Sequence, residues 1–291
     1  MAVSGPGQTI SSGFHGGVDT VISVDEIARQ ARALARGVSL KQLDALAGPD
    51  PALQVDDLSA GYGQMEILHG FYLRVGRGQS LCLIGPNGAG KSTVLHSIFG
   101  FTTIYSGSIL TNHGSGRADV TRLSANEKLR SAGIAYVLQD KSVFPNMTVE
   151  ENLWMGAFLM ERTAEAKLAA ERVFDQYPRL AARRKHPAKV LSGGERRLLE
   201  ISRALVMDPK VLLVDEPSIG LEPRFIDMVF EILGDLQHRE GKTVVMVEQN
   251  AKKGLEFANI GYVLVSGELA IAGKAKELLA DPDVGRLFLG G

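Results

Sequence analysis

Eight consecutive residues, Gly85-Pro86-Asn87-Gly88-Ala89-Gly90-Lys91-Ser92, carry the most legible chemistry in this chain. They follow the apolar run Leu81–Ile84 and precede Thr93-Val94-Leu95-His96-Ser97-Ile98-Phe99, which reads as a helix. Strand, glycine loop and helix form the context in which a backbone can wrap a phosphate chain. Glycines let the loop turn successive N–H groups inward, and the helix behind them adds the positive end of its dipole. Lys91 then reaches the β- and γ-phosphates, and the Ser92 hydroxyl a Mg²⁺ ion. An ordinary glycine-rich turn is the bland alternative, but Lys-Ser in place and both flanks correct outweigh it. A nucleoside triphosphate site is expected, with Gly85 to Thr93 as its binding loop.

A second set of residues completes that chemistry. Val211-Leu212-Leu213-Val214-Asp215-Glu216 is an apolar run closed by two carboxylates. In an open parallel sheet, ligands collect at the carboxyl ends of the strands. Asp215 is therefore expected to face the Mg²⁺ held by Ser92, as a strand-end aspartate does in P-loop ATPases. Glu216, one residue further out, is placed to orient and deprotonate an attacking water. The stretch Leu191-Ser192-Gly193-Gly194-Glu195 supports two compatible readings. Ser192 to Glu195 is a capping box that opens a helix carrying Leu198, Ile201 and Leu205. A glycine-bearing helix N-terminus is also a second phosphate site. One glycine loop already cradles one nucleotide, so a second site invites a nucleotide shared between two subunits.

The elements that must position these groups read as α/β. Leu81–Ile84, Val211–Val214, Val244–Val247 and Tyr262–Val265 are short, continuous apolar runs, the pattern of parallel strands buried on both faces. Between the second and third, Pro223–Arg239 has Ile226, Val229, Phe230, Leu233 and Leu236 on one helical face, with Gly241 closing the end. The middle, Thr148 to Met207, looks purely helical and suggests an inserted subdomain. Thr148-Val149-Glu150-Glu151 is a capping box there, and Thr163 precedes a second helix. The Arg183-Arg184-Lys185 run reads as solvated surface without a role.

At 291 residues the chain has ample room for a core, and its net charge of −1 steers it toward neither nucleic acid nor an acidic membrane. The single cysteine, Cys82, lies in an apolar run and reads as a core thiol, which allows no disulfide framework. No apolar stretch approaches the length of a membrane span, so a cytosolic chain is expected, with any membrane role supplied by partners. Six scattered histidines without paired spacing argue against zinc. Residues 1–20 carry five glycines and suggest a disordered arm. Ile27, Ala31 and Leu34 share one helical face, and Leu40 and Leu43 another, before a Gly48-Pro49-Asp50-Pro51 linker. Residues 1–52 are accordingly expected to form an extension, and 53–291 the working domain. A chain starting near Asp50 is expected to fold and to melt within a few degrees of the whole.

The set Gly85–Ser92, Gln139, Leu191–Glu195 and Val211–Glu216, in that order and spacing, resembles an ATP-binding-cassette (ABC) ATPase from about residue 53 to the C-terminus. The resemblance implies a P-loop NTPase cassette with a RecA-like core, an antiparallel β subdomain and an inserted helical subdomain at about 148–207. It implies ATP and Mg²⁺ as ligands. Two cassettes would close head to tail, each signature Ser192-Gly193-Gly194-Glu195 capping the γ-phosphate held by the other's P-loop. Tyr62 matches the aromatic position that stacks on adenine. Gln139 matches the Q-loop glutamine, a Mg²⁺ and water ligand, and Ser218-Ile219-Gly220-Leu221 matches the D-loop at the dimer seam.

A narrower resemblance rests on Val143 to Leu153, Val247-Glu248-Gln249-Asn250, Gly261-Tyr262-Val263-Leu264 and the Asp281 to Gly290 ending. These are similar to one ATPase subunit of branched-chain (hydrophobic) amino-acid importers. Such importers pair two related cassettes beneath two membrane permease subunits, fed by a periplasmic solute-binding protein, and relatives carry urea or amides. Most cassettes have a γ-phosphate-sensing histidine after the Val244–Val247 strand where this chain has Gln249, and that importer subunit commonly has glutamine. The expected working unit is a heterodimer of cassettes, with a homodimer as the alternative, peripheral on the inner face of the membrane. The expectation is thus an ATPase subunit of an importer for branched-chain amino acids or related small polar solutes. The rival is a soluble ABC ATPase serving an assembly process of the iron–sulfur cluster type.

Overall fold

The computed structural model describes residues 37–112, 116–139 and 142–289. The expected arm at 1–20 and the face formed by Ile27, Ala31 and Leu34 lie outside the described residues. Helix α1 (Leu40–Ala47) precedes a hairpin of β1 (Pro51–Tyr62) and β2 (Met65–Gly76). Strand β3 (Ser80–Ile84) runs through the glycine loop into α2 (Lys91–Phe99), followed by β4 (Thr103–Asn112) and β5 (Arg117–Asp119). Then come α3 (Ala125–Arg130) and β6 (Ile134–Val137), and a helical block of α4 (Val149–Gly156), α5 (Thr163–Gln176), α6 (Pro178–Ala181) and α7 (Gly193–Leu205). The remainder alternates: β7 (Val211–Asp215), α8 (Pro223–His238), β8 (Thr243–Val247), α9 (Ala251–Phe257), β9 (Ile260–Val265), β10 (Glu268–Lys274), α10 (Ala275–Ala280) and α11 (Pro282–Phe288).

The four apolar runs become β3, β7, β8 and β9 of a six-stranded sheet ordered β10-β9-β3-β8-β7-β6. All neighbours are parallel except the edge pair β9–β10. Their continuity has a direct cause. Leu81 and Leu83 point into a core shared with α2 and the hairpin, while Cys82 and Ile84 point into a second core shared with α8, α9 and α10. Both faces are dry, so the run Leu81–Ile84 is apolar throughout, and the buried Ser80 before it is satisfied by Asn259. Burial pushes the Cys82 thiol well above its ordinary pKa, so it remains an inert core group. Strand β6 was not anticipated: four residues including a tyrosine carry too little pattern to stand out.

A separate four-stranded antiparallel sheet, β2-β1-β4-β5, covers the α2 side. The helical block has its own core of Val149, Leu153, Val173, Phe174, Leu180 and Leu199 among others. Both capping boxes form there as expected, Thr148 with Glu151 and Ser192 with Glu195. Thr163 is the first helical residue of α5 rather than its cap, since Arg162 holds that position.

Two expectations need correction. The boundary at 52/53 falls inside β1, and α1 packs on the domain rather than standing off it. Leu43 is 1% exposed within the main core, Gln42 Nε2 donates to Ala272 O at 2.7 Å, and Gln79 Nε2 to Leu46 O at 3.1 Å. Asp44 also accepts from the nearly buried Arg74, which pairs with Asp56 as well. The Arg183-Arg184-Lys185 run, in turn, is not idle surface. Arg184 and Lys185 both pair with the buried Glu150 of α4, Arg184 reaches Glu171 of α5, and Arg183 reaches Glu195 at the signature cap. Glu150 carries its charge in a buried position because two cations face it, and they hold its carboxyl below the usual range against the opposing effect of burial.

Candidate active site

The glycine loop needs backbone that other residues resist. Gly88 and Gly90 have φ of +79° and +97°, in the left-handed region that favours glycine. A side chain on Gly85 would run into the Leu264 carbonyl of β9. The loop thus sits pressed against the sheet, and α2 starts at Lys91. Lys91 is nearly buried, with Nζ donating to Gly85 O at 2.9 Å and Pro86 O at 3.0 Å. Burial lowers its pKa, while the charges of Glu216 and Asp215 work in the opposite direction.

Ser92 Oγ donates to Asp215 Oδ1 at 3.1 Å, which joins the loop to the end of β7. Asp215 Oδ2 accepts from Tyr136 Oη of β6 at 2.7 Å. Glu216 follows with φ +42°, a left-handed conformation that costs a non-glycine residue on the order of 1 kcal/mol or more. The strain is held by neighbours: Glu216 N donates to Val247 O at 2.9 Å, and Gln139 Nε2 donates to Glu216 Oε2 at 2.8 Å. Burial raises the Glu216 pKa, Asp215 adds to the rise, and Lys91 opposes it. A carboxylate made more basic, fixed by an amide and placed beside a phosphate-binding loop is equipped to accept a proton from water.

Tyr62 lies at the end of β1, 44% exposed, with its hydroxyl bonded to His96 Nδ1 one turn into α2. It therefore borders the helix after the glycine loop, with its ring edge-on to that of His96 and partly open to solvent. Gln249 is exposed just beyond β8, in the loop next to the β7 end. The Ser192 cap packs against the residues that follow β7, and Gly193 lines the same cavity as Gln139, Ile219 and Gly220. Gly193 faces Leu221, Gly194 lies against Phe225 of α8, and Glu195 meets Arg183. The structure joins Ser92 to Asp215 and Gln139 to Glu216 by hydrogen bonds, and it sets Tyr62 against α2 and Gln249 just past β8. Ser192 to Glu195 it sets with the Ser218–Leu221 turn.

Three participants were not singled out from sequence. Tyr136 orients Asp215, and its only sequence signal is its place three residues before Gln139. Arg197 of α7 is 4% exposed and donates to Leu138 O at 2.7 Å, Glu200 Oε2 at 2.8 Å and Asp215 O at 3.3 Å. It ties the signature helix to both β6 and β7. Glu248, buried beside Gln249, accepts hydrogen bonds from the Ser218 turn. Among the described residues no cluster of three or more His, Cys, Asp or Glu could hold a metal ion by itself. The hydroxyl and carboxylate oxygens of Ser92 and Asp215 nevertheless suit Mg²⁺, which needs only one or two protein ligands when phosphates supply others. Nor is any described helix long and apolar enough to cross a membrane.

Comparison with known proteins agrees with this geometry. The profile of the ABC transporter family matches residues 68–219. A probable branched-chain amino acid transport ATP-binding protein LivF of Archaeoglobus fulgidus is 38% identical over 82% of this chain and 98% of its own length. The high-affinity branched-chain amino acid transport ATP-binding protein BraG of Pseudomonas aeruginosa is 40% identical over 82% of this chain and all of its own. A lipopolysaccharide export ATP-binding protein LptB of Acidithiobacillus ferridurans also matches, at 32% identity over 82% of this chain and 96% of its own. Among solved structures, a nucleotide-free ATP-binding cassette from an ABC transporter superposes with a TM-score of 0.72 and 26% identity, covering 83% of this chain and 100% of its own.

Proposed function

The chain belongs to the ABC transporter family, as an ATP-binding subunit whose ATP hydrolysis is coupled to transport, and from that premise we propose that it drives an importer of branched-chain amino acids or related small polar solutes. The observation that carries the catalytic part is the connected set Ser92–Asp215 and Gln139–Glu216, which links the phosphate loop to a positioned base. Support for the solute class comes from the names of two relatives matched over nearly their whole length. The match to an export protein leaves direction to be tested by transport itself. These relatives are transport proteins, which weighs against a soluble assembly ATPase.

In this reading Gly85 to Thr93 wraps the phosphates of ATP, and Tyr62 stacks on adenine. Ser92, Asp215 and Gln139 would hold Mg²⁺, whose chemistry is to neutralise charge on the phosphate oxygens. Glu216 takes the proton of the attacking water as its oxygen bonds to the γ-phosphorus and the bond to ADP breaks, leaving phosphate and ADP. Gln139 fixes the carboxylate that does this. Ser192 to Glu195 serves the nucleotide held by a second cassette. Gln249 is a neutral amide and cannot supply histidine's charge or shuttle a proton. A different cassette supplying that histidine at one of the two sites makes a heterodimer the working unit.

Membrane partners are supported by an apolar groove of about 320 Å³ between β6 and the helical block, lined by Leu138, Phe144, Met155, Phe158 and Arg203 among others. Phe158 is 61% exposed at its rim. One of two permease subunits docked there places the chain on the inner face of the membrane, with a periplasmic solute-binding protein acting from the far side. The decisive experiment is Glu216→Gln in the complex co-purified from membranes. ATP binding is retained and hydrolysis falls by about 100-fold or more, the scale of a lost general base. Near-normal turnover would refute the assignment. Uptake of labelled leucine, urea and acetamide into vesicles holding the same complex then reads the solute.

A further inference from the structure

Glu248 is the most buried carboxylate among the described residues that the reaction above does not use, being 1% exposed. It lies one residue past β8 and immediately before Gln249. Its Oε1 accepts from Ser218 Oγ at 2.7 Å and from Asn250 N at 2.9 Å, and its Oε2 from Ser218 N at 3.3 Å. Among the described residues it makes no ion pair. A carboxylate withdrawn from water without a cation is costly unless donors surround it. Here the donors come from two separate loops.

One loop is the turn after Glu216. Ser218 is 8% exposed, yet Ile219, next to it, is 42% exposed, and Gly220 adopts φ +69° at an open tip. Ile219 N returns to Glu216 O at 3.2 Å, so the turn is built on the base itself. The other loop carries Gln249 and ends at Asn250, the cap of α9. A single side chain thus clamps an outward-facing apolar tip to the loop bearing Gln249.

The chemistry of the clamp is specific to a carboxylate. Two of its partners are backbone N–H groups, on opposite oxygens. A glutamine here must aim its NH₂ at one of them in either orientation, so either Ser218 N or Asn250 N loses its acceptor. We propose that Glu248 is a positioning residue that sets the Gln249 loop according to the position of the Ser218–Gly220 turn, so that a second cassette pressing on that turn is felt beside the γ-phosphate. The proposal rests on the reading above for the places of Gln249 and of the second cassette.

Two variants in the full chain and its complex test it. Ser218→Ala removes one donor and keeps the turn, and Glu248→Gln reverses one hydrogen bond without changing size. Amide hydrogen exchange of the purified chain is expected to show faster exchange at 249–251 in Ser218→Ala, although the substitution lies on the other loop. Unchanged exchange there overturns the clamp. In the complex, Glu248→Gln is expected to lower kcat about 10-fold or more, the scale of a misplaced reacting group, with KM for ATP unchanged. The double variant is expected to lose no more than Glu248→Gln alone, because both changes break one connection. A rise in KM with unchanged kcat, or losses that multiply, assigns Glu248 a merely structural role. Should Glu248→Gln hydrolyse normally while Glu216→Gln is inactive, the clamp fails and the catalytic reading stands; an active Glu216→Gln fails the reading itself.

Discussion

Leu43→Ala tests whether α1 is part of the working domain. Leu43 is 1% exposed and packs into the core that also contains Leu73 and Val75 of β2. Removing a buried leucine side chain to alanine costs about 3–5 kcal/mol, the transfer loss plus the cavity left behind. A helix of eight residues has little stability of its own, so it depends on that anchor. Its release would also leave the nearly buried Arg74 with Asp56 as its remaining ion-pair partner. For a chain of this size, each kcal/mol lowers the melting temperature by about 2–4 °C. The expected fall is therefore about 6–20 °C, read by circular dichroism at a fixed heating rate. Leu40, on the same helix but 47% exposed, is the control, and Leu40→Ala should shift melting by no more than about 2 °C. A chain beginning at Pro49 should lose at least as much as Leu43→Ala. The reasoning fails if Leu43→Ala and Leu40→Ala melt together within 2 °C of the parent.

Three further outcomes follow from particular contacts. A Cβ on Gly194 would lie 2.8 Å from Phe225 Cγ and Cε1 and closer still to Cδ1, whereas one on Gly193 meets only Leu221 at 3.7 Å. Gly194→Ala should therefore lose about 1–3 kcal/mol of stability by overpacking, and Gly193→Ala should melt as the parent does; equal melting of the two refutes the steric account. Lys128 of α3 is fully buried, and burial pushes its pKa from 10.5 down to about 8. Between those values the folded chain binds fewer protons than the unfolded one, so Lys128 makes stability rise with pH across that window. Relative to the parent, Lys128→Met should be most stable below pH 8 and lose that advantage toward pH 10, measured by melting in a pH series; a constant difference removes the effect. Arg197→Leu would leave Glu200 buried without its cation and untie Leu138 and Asp215 from α7. The expected loss is about 3–5 kcal/mol, and Arg197→Leu combined with Glu200→Leu should recover much of it, as seen in denaturant midpoints.

Chemistry held within a few consecutive residues was legible without the fold. The glycine loop, the strand ending in Asp215-Glu216 and the capping box at Ser192–Glu195 each work through neighbours along the chain, so type and spacing were enough. Parallel strands buried on both faces announced themselves for the same reason, since each of β3 and β8 is apolar at every position after its first. The hairpin did not: β1 shifts register after Pro51, Val55, Leu58 and Ala60, and Asp57 takes φ +46°, so its side chains follow no simple alternation. What tertiary structure alone decided is pairing across distance. Leu43 looked like part of an appendage until β2 and β10 supplied the surface that buries it. Arg184 looked like solvent-facing charge until Glu150, 34 residues earlier, met it. Glu248 carries no pattern of its own, and its partner Ser218 stands 30 residues away. Such contacts have no period and no fixed spacing, because they form only when folding brings elements distant in the chain together.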